Sequence, residues 1–139
     1  MNYISTFIEV AADSKAEAGT PPIPKAGKRT VAVIEYELIT TSPYKLTQED
    51  VQFAVHVERA GIAVKDLKSR RDDLWKEFFA KPMACMRTSP LAKTYGWGLH
   101  FDKRGRVGLV GVETERYAEL AKDKSLNHTR AMASARKAK

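Results

Sequence analysis

The residues with the most reactive and most bulky side chains in this chain are concentrated between residues 71 and 113. That segment holds both tryptophans, the single cysteine and half of the twelve aromatic residues. Cys85 and His100 are its one nucleophile–base pair, because a thiolate needs a base or a cation beside it near neutral pH. Arg87 would support the thiolate electrostatically. The pair is the candidate for a small enzyme, although a cysteine flanked by methionines is more often a buried apolar residue.

The same segment also suits a binding site without catalysis. Cations, aromatic rings and glycines alternate along it, and cationic and aromatic groups together are suited to small anionic ligands. The residues predicted to line this site are Arg71, Trp75, Arg87, Tyr95, Trp97 and His100. The plainer alternatives are that Arg71 pairs with a glutamate or stacks on Trp75, and that a helix packs tightly onto the sheet at the glycines beside His100. We expect a non-catalytic binding or interaction module for a small anionic ligand, with the Cys85/His100 enzyme as an alternative.

No complete signature for a metal or a nucleotide cofactor is present. The three histidines and Cys85 lack the paired spacing of structural zinc ligands. Residues 27–30, Gly-Lys-Arg-Thr, end like a phosphate loop, but Pro22 stands where the first glycine belongs. Arg29 also replaces the hydroxyl residue that would meet magnesium. We therefore predict no bound metal and no cofactor.

The net charge of +7 is unevenly distributed along the chain. Residues 122–139 hold six cations and one anion, so this tail carries +5 and the other 121 residues carry +2. A basic tail attracts nucleic acid or acidic surfaces in a salt-sensitive way, and it also favours solubility. Three helices before a basic hairpin are similar to a winged helix, but the third helix offers apolar side chains instead of base-reading ones. Association with nucleic acid through the tail is the second alternative function.

Length and composition predict one soluble domain. A chain of 139 residues with 43% apolar and 29% charged residues is long enough to bury a core without disulfides. No apolar run approaches the length of a membrane span, and the first residues lack the regions of a signal peptide. Together with the lone cysteine, these features predict a cytoplasmic protein that makes no membrane contact.

The elements that position these residues begin with a short strand at residues 5–10, which are rich in strand-favouring side chains. Residues 31–40 fit a helix or a strand, and Thr30 as a cap favours the helix. A second helix is predicted from Thr47 to Gly61. Apolar residues at helical spacing predict a third helix over residues 64–80.

A hairpin follows, with strands at residues 97–101 and 106–112. The second strand is apolar on both faces, so we expect it in the centre of the sheet. Thr114 caps a short helix, and residues 122–139 form a basic tail, interpreted as a frayed helix. The predicted fold is a single α+β domain over residues 1–121, in which a mainly antiparallel sheet packs with three to four helices.

The chain contains, in order, the segments TFIEVA, SPYKLTQED, LWKEFFAKPMACMRTSPL, KTYGWGLHFD and VGLVGVE. In this order it resembles a family of small bacterial cytoplasmic proteins of unknown function, over about Thr6 to Leu120. The most specific part is the pattern KPxACxRxSPLxKxYGWGxH at residues 81–100. The resemblance implies a shared fold and points to the same segment, and it implies no activity, substrate or cofactor.

Overall fold

A computed structural model of the protein describes residues 2–133. This part of the chain forms a small α+β domain with a four-stranded, mostly antiparallel sheet, which confirms the predicted fold class. The strands are β1 (Thr6–Glu9), β2 (Trp97–Phe101), β3 (Val107–Gly111) and β4 (Asn127–Arg130). The helices are α1 (Val31–Thr41), α2 (Gln48–Ala60), α3 (Val64–Phe79), α4 (Pro90–Lys93) and α5 (Glu115–Lys122), and a single 3-10 turn (Met86–Thr88) precedes α4.

The sheet has the strand order β3-β2-β1-β4. β1 pairs with β2, and β2 with β3, in antiparallel register, as expected for an N-terminal strand and a hairpin. β4 pairs with β1 in parallel register. The helical interpretation of the tail is therefore wrong for residues 127–130. The outer edge of β1 binds them as a strand, since the Asn127 amide donates to the Ser5 carbonyl at 2.7 Å. The remainder of the predicted basic tail, from residue 134 onwards, lies outside the described residues.

β3 lies at the edge of the sheet, so the prediction of a central position is wrong. Its side chains are apolar on both faces because helices cover one face and α5 covers the other. The edge of β3 that does not pair with β2 forms hydrogen bonds with the segment before α2. The Tyr44 amide donates to the Val107 carbonyl at 3.0 Å, and the Val107 amide donates to the Leu46 carbonyl at 2.9 Å.

Local end signals place the first two helices as predicted. Thr30 caps α1 by accepting a hydrogen bond from the Val33 amide. Thr47 and Asp50 form a capping box at the start of α2, and Gly61 ends α2 in the left-handed region, with φ of 67°. α3 runs over the predicted residues but has a non-helical backbone at Arg70, so it bends there.

The alternation of side chains along β2 separates two parts of the core. Leu99 and Phe101 point toward α1, α2 and α4 and are fully buried there. Gly98 and His100 point to the other face, where Phe7 of β1 packs with Leu120 of α5. Residues two apart on β2 therefore share an environment, whereas adjacent residues lie on opposite sides of the sheet.

Candidate functional site

A cavity of about 300 Å³ lies between α1, α2, the end of α3 and residues 83–89. Its walls are mainly apolar, with Val31, Val55, Phe78 and Met86 among them. The polar and reactive side chains at its surface are Glu35, Gln52, His56, Arg59, Cys85, Thr88 and Ser89. Apolar walls with a few polar groups are typical of sites for small molecules. We refer to this space as the α1–α2 cavity.

Glu35 is the most unusual group in the α1–α2 cavity. It lies on the buried face of α1 between Ala32 and Ile39, and only 6% of the residue is exposed. The Ser89 hydroxyl donates a hydrogen bond of 2.8 Å to its Oε1 atom. Burial raises the pKa of Glu35 to about 7, and the bond from Ser89 acts in the opposite direction. Near neutral pH this carboxyl group therefore exists in both protonation states.

The second oxygen of Glu35, Oε2, is available to the cavity. Within residues 2–133 the hydrogen-bond partner of this carboxyl group is Ser89, through Oε1. No fully buried side-chain oxygen or nitrogen in this part of the chain lacks a partner, so Oε2 must be reached by solvent. Ser89 is itself held in place, because its hydroxyl oxygen accepts a bond from the Leu91 amide at the start of α4. The Glu35 carboxyl group therefore has one oxygen held by Ser89 and a second oxygen that is open to a ligand.

Three polar residues of α2 border the cavity at helical spacing: Gln52, His56 and Arg59. The side-chain amide of Gln52 donates a hydrogen bond of 2.7 Å from Nε2 to the Ala84 carbonyl, and this bond holds residues 83–89 against α2. The His56 ring stacks on Phe78 with centroids 4.4 Å apart. Arg59 is exposed and makes no ion pair or hydrogen bond with any residue that the structure describes. A cation without a partner in residues 2–133 thus borders an apolar cavity.

Cys85 is half-buried and lies beside Tyr3. Burial raises the pKa of Tyr3 to about 12, and its hydrogen bond with the Cys85 thiol acts in the same direction. Among the described residues, no histidine forms a hydrogen bond with this thiol, although His56 borders the same cavity. Cys85 also borders the α1–α2 cavity, where its neighbours are mainly apolar.

The structure does not bring the six residues of the sequence-predicted binding site together. Arg71 and Trp75 lie on α3, where the Arg71 guanidinium is 5.2 Å from the centre of the Phe53 ring and 6.0 Å from that of Trp75. Arg71 therefore lies over aromatic rings, as one of its plainer alternatives expected, but it is closer to Phe53 than to Trp75. Arg87 lies elsewhere and donates from Nε to the Arg130 carbonyl at 2.7 Å, so it holds the end of β4.

Tyr95 and Trp97 are bound to the loop that precedes α1. The Thr20 amide donates to the Tyr95 carbonyl, and the Trp97 indole donates to the Thr20 carbonyl, each at 2.9 Å. The Trp97 ring also packs against Tyr36 of α1, with centroids 5.7 Å apart. These contacts give the two residues a role in fixing that loop.

His100 lies on the opposite face of the sheet from Trp97. Its Nδ1 atom is 2.9 Å from the Tyr44 hydroxyl. Burial lowers the pKa of His100, and the charge of Arg116 acts in the same direction. The glycines around it make room for rings of the chain itself, because a Cβ atom on Gly98 would lie 2.8 Å from Phe7.

The sheet also separates the proposed nucleophile from its proposed base. Cys85 directly precedes Met86, whose side chain is buried in the core on the helical face. His100 points to the α5 face, with Phe7 directly opposite it on β1. In this arrangement His100 is not positioned to deprotonate Cys85.

A second, larger cavity of about 690 Å³ lies between α2 and α3. Its charged side chains are already engaged within the protein. Asp50 belongs to the capping box of α2, Glu58 pairs with Arg29 at 2.7 Å, and Arg71 lies over the Phe53 ring. This cavity therefore offers mostly apolar contact, and the α1–α2 cavity is the stronger candidate.

Two general properties follow from the described residues. Between residues 2 and 133, no three histidine, cysteine or acidic side chains are grouped so that they would hold a metal ion. No helix in that range is both long and apolar enough to cross a membrane.

Sequence reasoning missed Glu35 and Ser89. A signal for Glu35 was present, because a carboxylate at the spacing of Ala32 and Ile39 interrupts the apolar face of α1. The pair Ser89-Pro90 is a typical helix start and marks Ser89 as a cap, without indicating its second partner. Nothing in the sequence brings Arg59 to the cavity rim, since this depends on how residues 83–89 fold onto α2.

Comparison with known proteins gives a family and no closer relative. No curated protein matches the chain. No solved structure matches it either. A family model described as a family of unknown function, DUF6157, matches residues 1–137. That match covers nearly every residue, so the chain belongs to the family of unknown function DUF6157.

Proposed function

We propose that the protein is a non-catalytic binding module that holds a small, mainly apolar anion in the α1–α2 cavity. The observation that supports this most directly is the position of Arg59. Its guanidinium group has no partner among the described residues and borders an apolar space of about 300 Å³. A guanidinium group binds carboxylate or phosphate oxygens through two parallel hydrogen bonds, and His56 one turn earlier provides a further donor.

The apolar part of the ligand would contact Val55, Phe78 and Met86. Burial of that part supplies affinity, and the acidic group at the rim supplies orientation. The volume lies at the lower end of the range for ligand pockets, which favours a molecule the size of a small metabolite. Binding is favoured over catalysis because no histidine among the described residues is hydrogen-bonded to the Cys85 thiol.

Titration with para-methylbenzoate tests this function, since the probe combines a small apolar ring with one carboxylate. We expect the probe to raise the melting temperature and to give a measurable heat of binding. Arg59→Ala should weaken binding roughly tenfold or more through loss of the charged hydrogen bonds. Arg104→Ala, at the tip of the hairpin, is the matched control and should bind as the parent does. Equal binding by both variants, or none by the parent, would contradict the proposal.

We also propose that the protein works in a bacterial cytoplasm, the setting that the resemblance of its sequence implies. The half-buried free thiol of Cys85 supports this, because such thiols are kept reduced in that compartment. Fractionation of expressing cells, with detection of the tagged protein, tests the location. Recovery in the secreted or membrane fraction would contradict it.

A further inference from the structure

The α1–α2 cavity has a second polar end that the anion proposed above does not use. Arg59 is exposed, whereas Glu35, which borders the same cavity, is only 6% exposed. Between these two ends the walls are apolar, with Val55 and Met86 among the contacts. A ligand that fills the cavity from rim to floor therefore meets a cation first, then apolar surface, then a carboxyl group.

The open oxygen of Glu35 defines what the inner end of the ligand must be. Oε1 already accepts from Ser89, and Oε2 has no hydrogen-bond partner within residues 2–133. A carboxyl oxygen in an apolar space binds a hydrogen-bond donor, and a charged donor binds most strongly. A second carboxylate at this position would be repelled by ionised Glu35, and a purely apolar end would leave Oε2 unpaired.

We infer that the ligand is an aminated acid: a compact apolar molecule with an acidic group at one end and an ammonium group at the other. The acid lies at Arg59, the ammonium group donates to Glu35 Oε2, and the apolar body spans the cavity. This inference rests on the proposed binding function and adds to it the class of ligand and the role of Glu35 in specificity.

Three probes with the same ring separate the two ends. Para-(aminomethyl)benzoate carries both groups, para-methylbenzoate carries the acid alone, and para-methylbenzylamine carries the amine alone. We expect the first to bind roughly tenfold or more tightly than either of the others, as measured by titration calorimetry at pH 8. In Glu35→Gln the ratio of the affinity for para-(aminomethyl)benzoate to the affinity for para-methylbenzoate should fall to about one. The affinity for para-methylbenzoate itself should not change. Glu37→Gln, which changes an exposed carboxylate on the same helix, should behave as the parent does.

The number of protons released or taken up on binding gives an independent test of whether the ammonium group lies beside Glu35. The titratable groups that face the cavity are Glu35 from α1, His56 and Arg59 from α2, and Cys85 from residues 83–89. An ammonium group beside Glu35 favours its carboxylate, so the aminated probe should release protons at pH 7, whereas the acid-only probe should take them up. Calorimetry in two buffers of different ionisation enthalpy measures this, and His56→Gln separates the histidine contribution from that of Glu35.

The outcomes distinguish this inference from the proposed function. If the acid-only probe binds and Arg59→Ala abolishes its binding, while the amine adds no affinity, the aminated class is overturned and anion binding stands. If the amine-only probe binds through Glu35 and the acid contributes nothing, the anion-binding proposal fails and the role of Glu35 stands. If none of the three probes binds, both proposals are overturned.

Discussion

The Ser89 hydroxyl donates a 2.8 Å hydrogen bond to Glu35 and so joins α1 to the start of α4. Both residues are buried, and the same hydroxyl oxygen accepts from the Leu91 amide. The bond therefore ties a helix cap to a buried carboxyl group. This relationship, and not the aromatic segment on its own, organises the α1–α2 cavity.

The first prediction concerns stability against pH. Burial raises the pKa of Glu35 to about 7, above the value in the unfolded chain, so its contribution to stability is fully present below pH 4.5. That contribution is lost as the pH rises through 7 and amounts to about 3 kcal/mol. Glu35→Gln should lack this loss and should be more stable than the parent at pH 8. Urea unfolding from pH 5 to pH 8 measures the difference, with Glu37→Gln as control. Parallel curves for the parent and Glu35→Gln would argue against a buried titrating carboxyl.

The second prediction concerns Arg87 and the last strand. Arg87→Ala removes the 2.7 Å bond to the Arg130 carbonyl but keeps the backbone bond from Met132 to residue 87. We expect a loss of about 1–2 kcal/mol in stability. Amide exchange should increase first at residues 127–131, since β4 is an edge strand held on one side by β1. Unchanged exchange in that strand would show that Arg87 does not hold it.

The third prediction concerns Gly108, where the Tyr44 ring lies directly over the backbone. A Cβ atom at this position would overlap that ring, so Gly108→Ala should destabilise the fold by about 1–3 kcal/mol. Because the clash needs both partners, Tyr44→Ala should remove most of the added cost. A double-mutant cycle by thermal or urea unfolding measures the coupling. Additive losses would show that the two positions are not in contact.

The fourth prediction concerns Cys85 as a nucleophile. His100 lies on the other face of the sheet, so His100→Gln should leave the rate of Cys85 alkylation unchanged between pH 6 and pH 9. Tyr3→Phe removes the hydroxyl group beside the thiol and should change that rate. A strong decrease in His100→Gln alone would restore the enzyme alternative.

The fifth prediction concerns the binding of nucleic acid by the basic tail, which is predicted from the charge of the chain alone. Removal of residues 122–139 would also remove β4, so replacement of Arg136, Lys137 and Lys139 by alanine is the better test. We expect salt-sensitive binding to nucleic acid by the parent and roughly tenfold or weaker binding by the variant. Circular dichroism checks that the sheet is intact. Absence of binding by the parent in low salt would end this alternative.

The sequence predicted well those features that depend on neighbouring residues. Thr47 and Gly61 mark the ends of α2 through bonds and dihedral angles within a few residues, so both could be read directly. The turn between β2 and β3 was equally local.

Features that depend on distant contacts were not predictable in this way. The pairing of β4 with β1 joins residues more than one hundred positions apart, and local propensity contains no signal for it. The same applies to the binding site. Trp97 and His100 are close in sequence, yet the alternation of β2 places them on opposite faces, whereas Glu35 and Ser89 meet only in the folded chain.

The pairing of β1 with β2 and β4 also determines when the fold can be completed. β1 is synthesised before both of its neighbours, which follow it in the chain by some ninety residues or more. Until those neighbours are synthesised, its two hydrogen-bonding edges have no native partner, and the sheet cannot close before β4 has emerged. Truncated products of translation would therefore expose Phe7 and Ile8, and a chaperone or protease would meet this strand first.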